Sequence, residues 1–323
     1  MELKMDDLAD SIRNNPNILE KREINPIVDY IDSNSFKSKK IFSDVGEDSA
    51  AIKNEDYYIL CTTDRIVTKF IEDFPFGAGF SSILVSVDDI YACGGYPLAA
   101  SIIVSFKDES VGNEIIKGIC EGSKKFKVPI IRGHTNIRGK CYELSSTIIG
   151  QVKKEYYISA RNAQIGDNII LAIDFDGKIG KASKFFYDTT TFKSSEEVID
   201  KRKSMNELAE KKLVNASKDI SNGGIFGTLL QLIDYSDVGV NINIKKFEIP
   251  PKLIKENYDL IKFSKMYLTT SFILSVPNEN CNKVVKIFEK HKMNANVIGK
   301  VIKEKHLLKL NSGNGKEVDI IRF

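Results

Sequence analysis

The chain has 323 residues, of which 42% are hydrophobic and 28% are charged, and its formal net charge at pH 7 is +3. This length is sufficient for two domains with separate cores, and the composition is typical of a soluble globular protein. No apolar run is long enough to span a bilayer and the net charge is small, so we expect a cytoplasmic protein with no membrane or nucleic-acid partner.

The hydrophobic pattern predicts three regions. Residues 1–38 form an N-terminal arm with two short helices and a Ser/Lys linker, residues 39–157 form a first domain, and residues 158–323 form a second. In the first domain the pattern predicts a helix at 79–93, a strand at 102–104, a helix at 111–126, a buried strand at 128–131 and an alternating strand at 141–152.

The second domain continues the mixture of strands and helices. The pattern predicts strands at 169–173, 238–244, 272–276 and 297–301, and helices at 195–213, from 224 onwards and at 279–292. Because no long parallel βαβ series is visible, the sequence predicts two layered α+β domains rather than one doubly wound sheet.

The helix predicted at 79–93 carries two adjacent acids, Asp88 and Asp89. Its apolar residues recur at helical spacing and predict one buried stripe, made of Phe80, Ile83, Leu84, Val87, Ile90 and Tyr91. Asp88 flanks this stripe, and Asp89 lies opposite it on a face of small side chains. Taken alone, the pair is better explained as two solvated acids on an amphipathic helix.

Acidic residues recur where predicted elements meet. They lie in Gly46-Glu47-Asp48, Thr62-Thr63-Asp64, Asp88-Asp89 and at Asp219. Carboxylates that converge repel each other, which raises their pKa values or requires cations, and Mg²⁺ prefers carboxylate oxygens, waters and substrate phosphates. Each acid alone is explained by a helix cap or a turn, but four together favour a magnesium site.

Familiar nucleotide-binding motifs are missing. The glycines and lysines at 177–183 do not have the spacing of a Walker A loop, and no kinase catalytic loop is visible. The five cysteines include no close pair and there are only three histidines, which argues against a cysteine or histidine metal site. Any ATP would therefore be bound by an acidic, metal-rich site.

Five motifs resemble, in order and spacing, those of one superfamily. They are Gly46-Glu47-Asp48-Ser49-Ala50, Thr62-Thr63-Asp64, the stretch 89–97, Gly133-His134-Thr135 and the stretch 219–224. The superfamily contains aminoimidazole ribonucleotide (AIR) synthetase, thiamine-monophosphate kinase, selenophosphate synthetase and a hydrogenase-maturation dehydratase. The resemblance extends from about residue 41 to the C-terminus, and the whole chain is similar to the branch called methanogenesis marker protein 2.

The resemblance implies a two-domain AIR-synthase-like fold. The N-terminal α/β domain would pair with its copy in a homodimer through a β-barrel-like interface, and a mixed α/β C-terminal domain would cover the cleft. It implies ATP and Mg²⁺ as cofactors, with metal ligands among Glu47, Asp48, Asp64, Asp88 and Asp89. The implied ATP-binding residues are Gly46, Thr63, Lys69, Arg132 and the turn Gly133-His134-Thr135. Asp219 and Asn222 would face the second substrate.

The sequence departs from the family pattern at several positions, and some of these departures bear on the second substrate. Glu47 replaces an Asp, Ser86 replaces an Asn, and Arg132 replaces a Gly. Asn222 replaces the Asp of the kinase-like motif, which counts against thiamine-monophosphate kinase. The arm has no Cys and the chain does not end in Cys, which counts against selenophosphate synthetase and the dehydratase.

The leading hypothesis is Mg-ATP-dependent phosphoryl transfer, or phosphate activation, to an unidentified small-molecule or protein-borne acceptor in cofactor or enzyme maturation. Two alternatives stay open at this point. One is a non-catalytic ATP-binding assembly factor that docks a protein partner, and the other is thiamine-monophosphate kinase itself.

Overall fold

The N-terminal arm packs against the second domain. The computed structural model describes residues 5–313 and 315–322. The arm contains three helices, α1 (Met5–Arg13), α2 (Pro16–Glu23) and α3 (Asn25–Asn34), where the sequence predicts two. A proline in the first turn of α2 and another in the first turn of α3 divide the arm. Arg13 Nε donates a 2.8 Å hydrogen bond to the carbonyl of Ile320, which ties α1 to the end of the chain.

The first domain is a six-stranded sheet covered by helices on one face. In chain order its elements are β1 (Ile41–Ser43), β2 (Ala50–Asn54), β3 (Tyr57–Arg65), α4 (Thr68–Asp73), α5 (Pro75–Ala92), β4 (Tyr96–Ser105), α6 (Glu109–Phe126), β5 (Ile130–Asn136) and β6 (Glu143–Lys153). The strand order is β1-β2-β3-β6-β4-β5, and only β4 and β5 run parallel. The other pairs are antiparallel.

Helices α5 and α6 cross at unusually short range. The stripe predicted on α5, from Phe80 to Tyr91, is buried as expected. A Cβ on Gly118 would lie 2.0 Å from the carbonyl oxygen of Phe76, and one on Gly79 would lie 2.1 Å from that of Ile115. Glycine is therefore required at this crossing because any side chain would force the helices apart.

The other face of the first sheet is open, and this corrects two expectations. The sequence predicts a buried strand at 128–131 and a turn at 133–135. Val128 is buried, but residues 130–131 and 133–135 belong to β5 (Ile130–Asn136), whose residues are all exposed. β5 is exposed because it is an edge strand and the helices cover only one face. On the open face Ile103 and Ile149 are 52% and 38% exposed, whereas the neighbouring Ile148 is fully buried.

The second domain is built on a seven-stranded, largely antiparallel sheet. Its elements are β7 (Asn168–Ile173), β8 (Lys178–Ile179), β9 (Phe186–Asp188), α7 (Ser195–Glu210), β10 (Ala216–Asp219), α8 (Gly224–Tyr235), β11 (Gly239–Asn243), α9 (Pro251–Lys255), α10 (Leu260–Ser264), β12 (Tyr267–Leu268), β13 (Ser271–Val276), α11 (Cys281–Lys290), β14 (Asn294–Ile302), β15 (Leu307–Asn311) and β16 (Glu317–Arg322). The large sheet has the order β10-β13-β7-β14-β11-β15-β16, and a small one has the order β12-β9-β8. The predicted pair of layered α+β domains is confirmed.

Helix α7 joins the two domains. Met205 and Leu208 on α7 are fully buried in a core that also contains side chains of α5 and β6. Asn206 Nδ2 donates to the carbonyls of Gly94 and Gly95, at 3.0 and 2.8 Å. The two domains therefore share both apolar and polar contacts through α7. None of the helices in the described ranges has both the length and the apolar character needed to cross a membrane.

Candidate functional site

Three acids from separate elements converge between the domains. Asp48 lies in the loop between β1 and β2, Asp89 lies near the end of α5, and Asp219 ends β10. One carboxylate oxygen from each lies within 4.8 Å of the other two. The structure thus brings two of the predicted metal ligands together with an acid that the sequence had assigned to the second substrate.

The Asp48 loop is held against the second domain. Lys218 forms an ion pair with Asp48 Oδ1, and the backbone N–H of Asp219 donates to Oδ2 at 3.1 Å. Gly46 has φ of +93°, and a Cβ there would lie 2.4 Å from the ring of Tyr235. Burial opposes the charged form of Lys218, but the Asp48 carboxylate holds the pKa of its ammonium above the usual range. Gly46 therefore places Asp48 by its backbone conformation and its lack of a side chain.

Among the residues that the structure describes, no lysine or arginine forms an ion pair with Asp89 or Asp219. Burial raises the pKa of Asp89 well above its usual value, and the nearby carboxylates of Asp64, Asp219 and Asp48 raise it further. Burial also raises the pKa of Asp219, followed in effect by Asp48. Asp89 accepts a hydrogen bond from the hydroxyl of Thr62, which fixes its orientation. These two acids therefore hold protons readily unless another cation is bound beside them.

Asp64 lies beside this group and lines the same cleft. Ser86 Oγ donates to Asp64 Oδ2 at 2.7 Å, and the hydroxyls of Ser86 and Ser146 lie 2.9 Å apart. Ser86 is the residue that stands where the family pattern has Asn, so here a hydroxyl orients this acid. Asp64 and Asp89 both line the cleft, together with Asp219.

Glu47 and Asp88 were predicted as metal ligands, but the structure places both elsewhere. The carboxylate of Glu47 is fully buried and accepts hydrogen bonds from the Ser159 hydroxyl at 2.5 Å and the Ala160 N–H at 2.7 Å. Asp88 accepts from Arg202 Nε at 2.6 Å and Nη2 at 3.2 Å. Successive residues on a helix point about 100° apart, so Asp88 faces α7 while Asp89 faces the cleft.

The predicted nucleotide residues Thr63 and Arg132 lie on the open face of the first sheet. Thr63 pairs with Thr147 across β3 and β6, Thr147 pairs with Ser101, and Ser101 pairs with Arg132. The hydroxyls of Thr63 and Thr147 lie 2.9 Å apart. Because side chains alternate along a strand, Thr63 and its neighbour Asp64 point to opposite faces of the sheet.

The other residues of β5 follow the same alternation. His134 shares the open face with Arg132, while Gly133 and Thr135 lie on the alternate side at the exposed edge. None of these four lines the cleft within one chain. Lys69, on α4, does line it, and its ammonium pairs with Asp73 at 2.8 Å. The expectation that all these residues line one site with the acids is therefore not met inside a single chain.

Sequence reasoning missed a lysine that the arm brings to the acids. Lys21 Nζ donates to Gln231 Oε1 at 2.7 Å and to Ser221 Oγ at 3.1 Å. Burial and the nearby ammonium of Lys218 lower the pKa of Lys21 to about 8, against the opposing effect of Asp219. No local pattern in a polar helix of the arm indicates this position, because it arises from packing of α2 on the second domain.

Asp89 and Asp219 line a cleft of about 470 Å³ between the domains. Its polar part includes Asp64, Asp89, Asp219 and Asn222, the last of which the sequence had assigned to the second substrate. Asn17 of the arm also lines it, and its side-chain amide donates to the carbonyl of Asn222 at 2.9 Å. Its apolar part is formed by Val67, Phe70, Val85, Phe185, Phe186 and Tyr267.

Two family descriptions together match most of the chain. "AIR synthase related protein, N-terminal domain" matches residues 46–152, and "AIR synthase related protein, C-terminal domain" matches residues 166–308. The chain belongs to the AIR synthase-related family. Membership confirms the superfamily predicted from the motifs, while the assignment to the methanogenesis marker protein 2 branch stays a prediction.

Individual relatives cover nearly the whole chain. An uncharacterized protein of Methanocaldococcus jannaschii is 37% identical over 313 residues, which are 96% of this chain and 95% of that protein. The thiamine-monophosphate kinase of Buchnera aphidicola is 27% identical over 300 residues, which are 86% of this chain and 90% of the kinase.

Solved structures share the fold. "AaThiL complexed with AMPPCP and TMP" aligns with a TM-score of 0.68 at 17% identity, over 92% of this chain and 96% of that one. "T. maritima PurL complexed with ATP" aligns with a TM-score of 0.70 at 14% identity, over 84% of this chain and 45% of that one. The AIR synthase-related chain described here thus spans about half the length of PurL.

The donor set at the three acids is suited to a magnesium ion. Mg²⁺ binds through one or two carboxylates together with waters and substrate phosphates. Asp89 and Asp219 supply two carboxylates that have no cation partner among the described residues, and Asp48 supplies a third that is already paired with Lys218. A cation here would remove the repulsion that raises the pKa values of Asp89 and Asp219.

Proposed function

We propose that this protein binds Mg-ATP at Asp48, Asp89 and Asp219 and transfers the terminal phosphoryl group to an oxygen-bearing acceptor in the cleft. The observation that carries the proposal is the approach of these three carboxylates to within 4.8 Å of one another, at a point where Asp89 and Asp219 line a cleft between two domains. Membership of the AIR synthase-related family supports it, as do the complexes of proteins with this fold with ATP and with AMPPCP and TMP.

The side chains around the acids have separate tasks in this proposal. Asp48, Asp89 and Asp219 would hold the cation, whose charge neutralises the phosphate oxygens during transfer. Lys218 fixes Asp48, and Thr62 fixes Asp89. Lys69 lines the cleft with an exposed ammonium and is placed to meet phosphate oxygens.

The chemistry needs no covalent intermediate on the protein. An acceptor oxygen forms a bond to the terminal phosphorus, the bond from that phosphorus to the bridging oxygen breaks, and ADP leaves with the electron pair. An oxyanion acceptor carries no proton to remove. A hydroxyl acceptor would give its proton to a carboxylate that is not a metal ligand in this proposal, and Asp64 lines the cleft outside the three acids.

A second copy of the chain is part of the proposal. The open face of the first sheet carries exposed Ile103 and Ile149 beside Thr63 and Arg132. A homodimer formed through this face would bury these apolar side chains and would enclose the predicted nucleotide residues. The nucleotide base and sugar would then extend towards this interface while the terminal phosphate meets the acids.

Calorimetry with a non-hydrolysable ATP analogue tests the nucleotide site. We expect the wild-type protein to bind the analogue only when Mg²⁺ is present and Asp89→Asn to lose at least tenfold in affinity. Asp56→Asn is the matched control, because Asp56 is exposed and lies outside the cleft. Equal binding by all three proteins would refute the metal site.

Turnover of ATP against metabolite pools tests the reaction. We expect consumption of ATP that depends on an added pool and that is lost in Asp64→Asn and Asp89→Asn. Equal turnover in wild type and variants would contradict the proposal. Nucleotide-dependent capture of a protein partner without hydrolysis would instead support an assembly factor, and formation of thiamine diphosphate from the monophosphate would identify the acceptor.

A further inference from the structure

The apolar part of the cleft contains two parallel aromatic rings. Phe186 and Tyr267 stack with ring centroids 5.6 Å apart and an angle of 9° between their planes. Both rings are half-buried, and both line the cleft that contains Asp64, Asp89 and Asp219. We call this pair the aromatic wall.

The backbone fixes the aromatic wall. Phe186 and Tyr267 are direct partners in the parallel pairing of β9 and β12, and the N–H of Tyr267 donates to the carbonyl of Phe185 at 2.8 Å. A Cβ on Gly180 would lie 2.1 Å from the ring of Phe186, so that ring covers the backbone of Gly180. The wall is therefore preorganised, which lowers the entropy cost of packing a ligand against it.

Tyr267 stands close to the acids. Burial raises the pKa of its hydroxyl well above the usual value, and the carboxylates of Asp88, Asp219 and Asp64 add to this. In the ranges that the structure describes, no protein group forms a hydrogen bond with this hydroxyl. It stays protonated, so it can donate a hydrogen bond to a molecule that lies in the cleft.

We propose that the acceptor contains a planar aromatic or heteroaromatic ring that packs against Phe186 and Tyr267, with its reactive oxygen directed to Asp89 and Asp219. This inference rests on the proposed function of the acids. Aromatic surfaces favour flat partners in stacked or edge-on contact. Both rings line the same cleft of about 470 Å³ as Asp89 and Asp219, so one small molecule can contact the wall and the acids together.

The adenine of ATP is a poorer occupant of the wall. In Mg-ATP the cation binds the terminal phosphates, and the inner phosphate and the ribose separate them from the base. A ring that lies beside Tyr267 is within the electrostatic reach of four aspartates. An acceptor whose oxygen meets the terminal phosphate has its ring at this short range, whereas adenine lies further from the acids.

Ligand-observed NMR with two neutral amides tests the proposal without metal or nucleotide. Benzamide and cyclohexanecarboxamide differ in the planarity of the ring and carry the same polar group. We expect benzamide to bind wild type about 3- to 10-fold more tightly, in line with an aromatic contact. Phe186→Leu and Tyr267→Leu should each remove this preference, and Phe192→Leu, an exposed ring outside the cleft, should keep it.

Three results would overturn the inference. The first is equal binding of the two amides to wild type, which needs no variant and so does not depend on the folding of one. The second is displacement of benzamide by adenosine. The third is loss of Mg-nucleotide binding in Phe186→Leu or Tyr267→Leu. Either of these two results would show that the aromatic wall binds the adenine of ATP. If benzamide binds as expected while the ATP analogue does not bind, the proposed function fails and the ring site stands.

Discussion

Asp88 and Asp89 are adjacent on α5, yet replacing each by asparagine should change stability in opposite directions. Asp89 faces Asp48 and Asp219 with carboxylate oxygens within 4.8 Å. Asp88 is paired with Arg202, whose side chain is fully buried. In the metal-free protein we therefore expect Asp89→Asn to stabilise the fold and Asp88→Asn to destabilise it.

The magnitudes follow from these contacts. Two unit charges 4.8 Å apart repel by about 3.5 kcal/mol at an effective dielectric constant of about 20. Because Asp89 relieves part of this repulsion by binding a proton, we expect Asp89→Asn to raise the free energy of unfolding by about 1 to 2 kcal/mol at mildly alkaline pH. Asp88→Asn leaves the Arg202 guanidinium buried without its counter-ion, which costs about 3 to 5 kcal/mol.

Urea unfolding of wild type and both variants measures these changes. The experiment is run once with a chelator and once with Mg²⁺. Mg²⁺ should stabilise wild type and Asp88→Asn because the ion binds the native carboxylates, and it should have little effect on Asp89→Asn. The thermal midpoint provides a second measure of the same differences.

Two outcomes would refute the reasoning. If Asp89→Asn destabilises the metal-free protein by as much as Asp88→Asn, the three acids do not repel each other in the native state. If Mg²⁺ stabilises Asp89→Asn as strongly as wild type, Asp89 is not a ligand. Either result would remove the physical basis of the proposed metal site.

Three other tests address the charges and the packing near the site. Because the pKa of Asp89 is raised, the native state binds more protons than the unfolded state above about pH 4. The free energy of unfolding of the metal-free protein should therefore fall as the pH rises above about 4, and it should fall less in Asp89→Asn. Urea unfolding across this pH range measures the difference. Lys218→Met should destabilise the metal-free protein by about 3 to 5 kcal/mol because the buried Asp48 loses its cation. Calorimetry should show tighter Mg²⁺ binding by this variant, and unchanged affinity would contradict the reasoning. Gly118→Ala should lower the free energy of unfolding by about 1 to 3 kcal/mol, because the added Cβ would clash with the carbonyl of Phe76. Urea unfolding measures this change, and a neutral or stabilising effect would show that α5 and α6 can separate.

The local sequence predicted correctly those features that depend on a single helix, strand or motif. The buried stripe of α5 followed from its helical spacing, and the motifs predicted the family that the two domain descriptions confirm. The motifs also marked Asp48, Asp89 and Asp219 as unusual acids. A functional role could be predicted for these acids because acids beside small residues at the ends of helices and strands are rarely needed for packing.

Prediction failed where the role of a residue depends on contacts between elements that are far apart in the chain. Glu47 and Asp88 have the same local character as Asp48 and Asp89, and only the positions of Ala160 and Arg202 show that they are held in structural contacts. The glycine in Gly133-His134-Thr135 predicts a turn, yet this segment is a strand because it pairs with β4. No local pattern distinguishes these cases, because the partners are more than 20 residues away in the chain.

The sequence by itself determined the two layered domains, the family and the acids available for a cation, because these depend on periodicity and on residue type. Only the tertiary structure decided which acids meet, that the arm brings Lys21 to them, and that Phe186 and Tyr267 form one wall of the cleft. The physical reason is that each of these contacts joins segments whose separation in space is set by the packing of whole elements, and the charge of a buried group depends on what that packing places beside it.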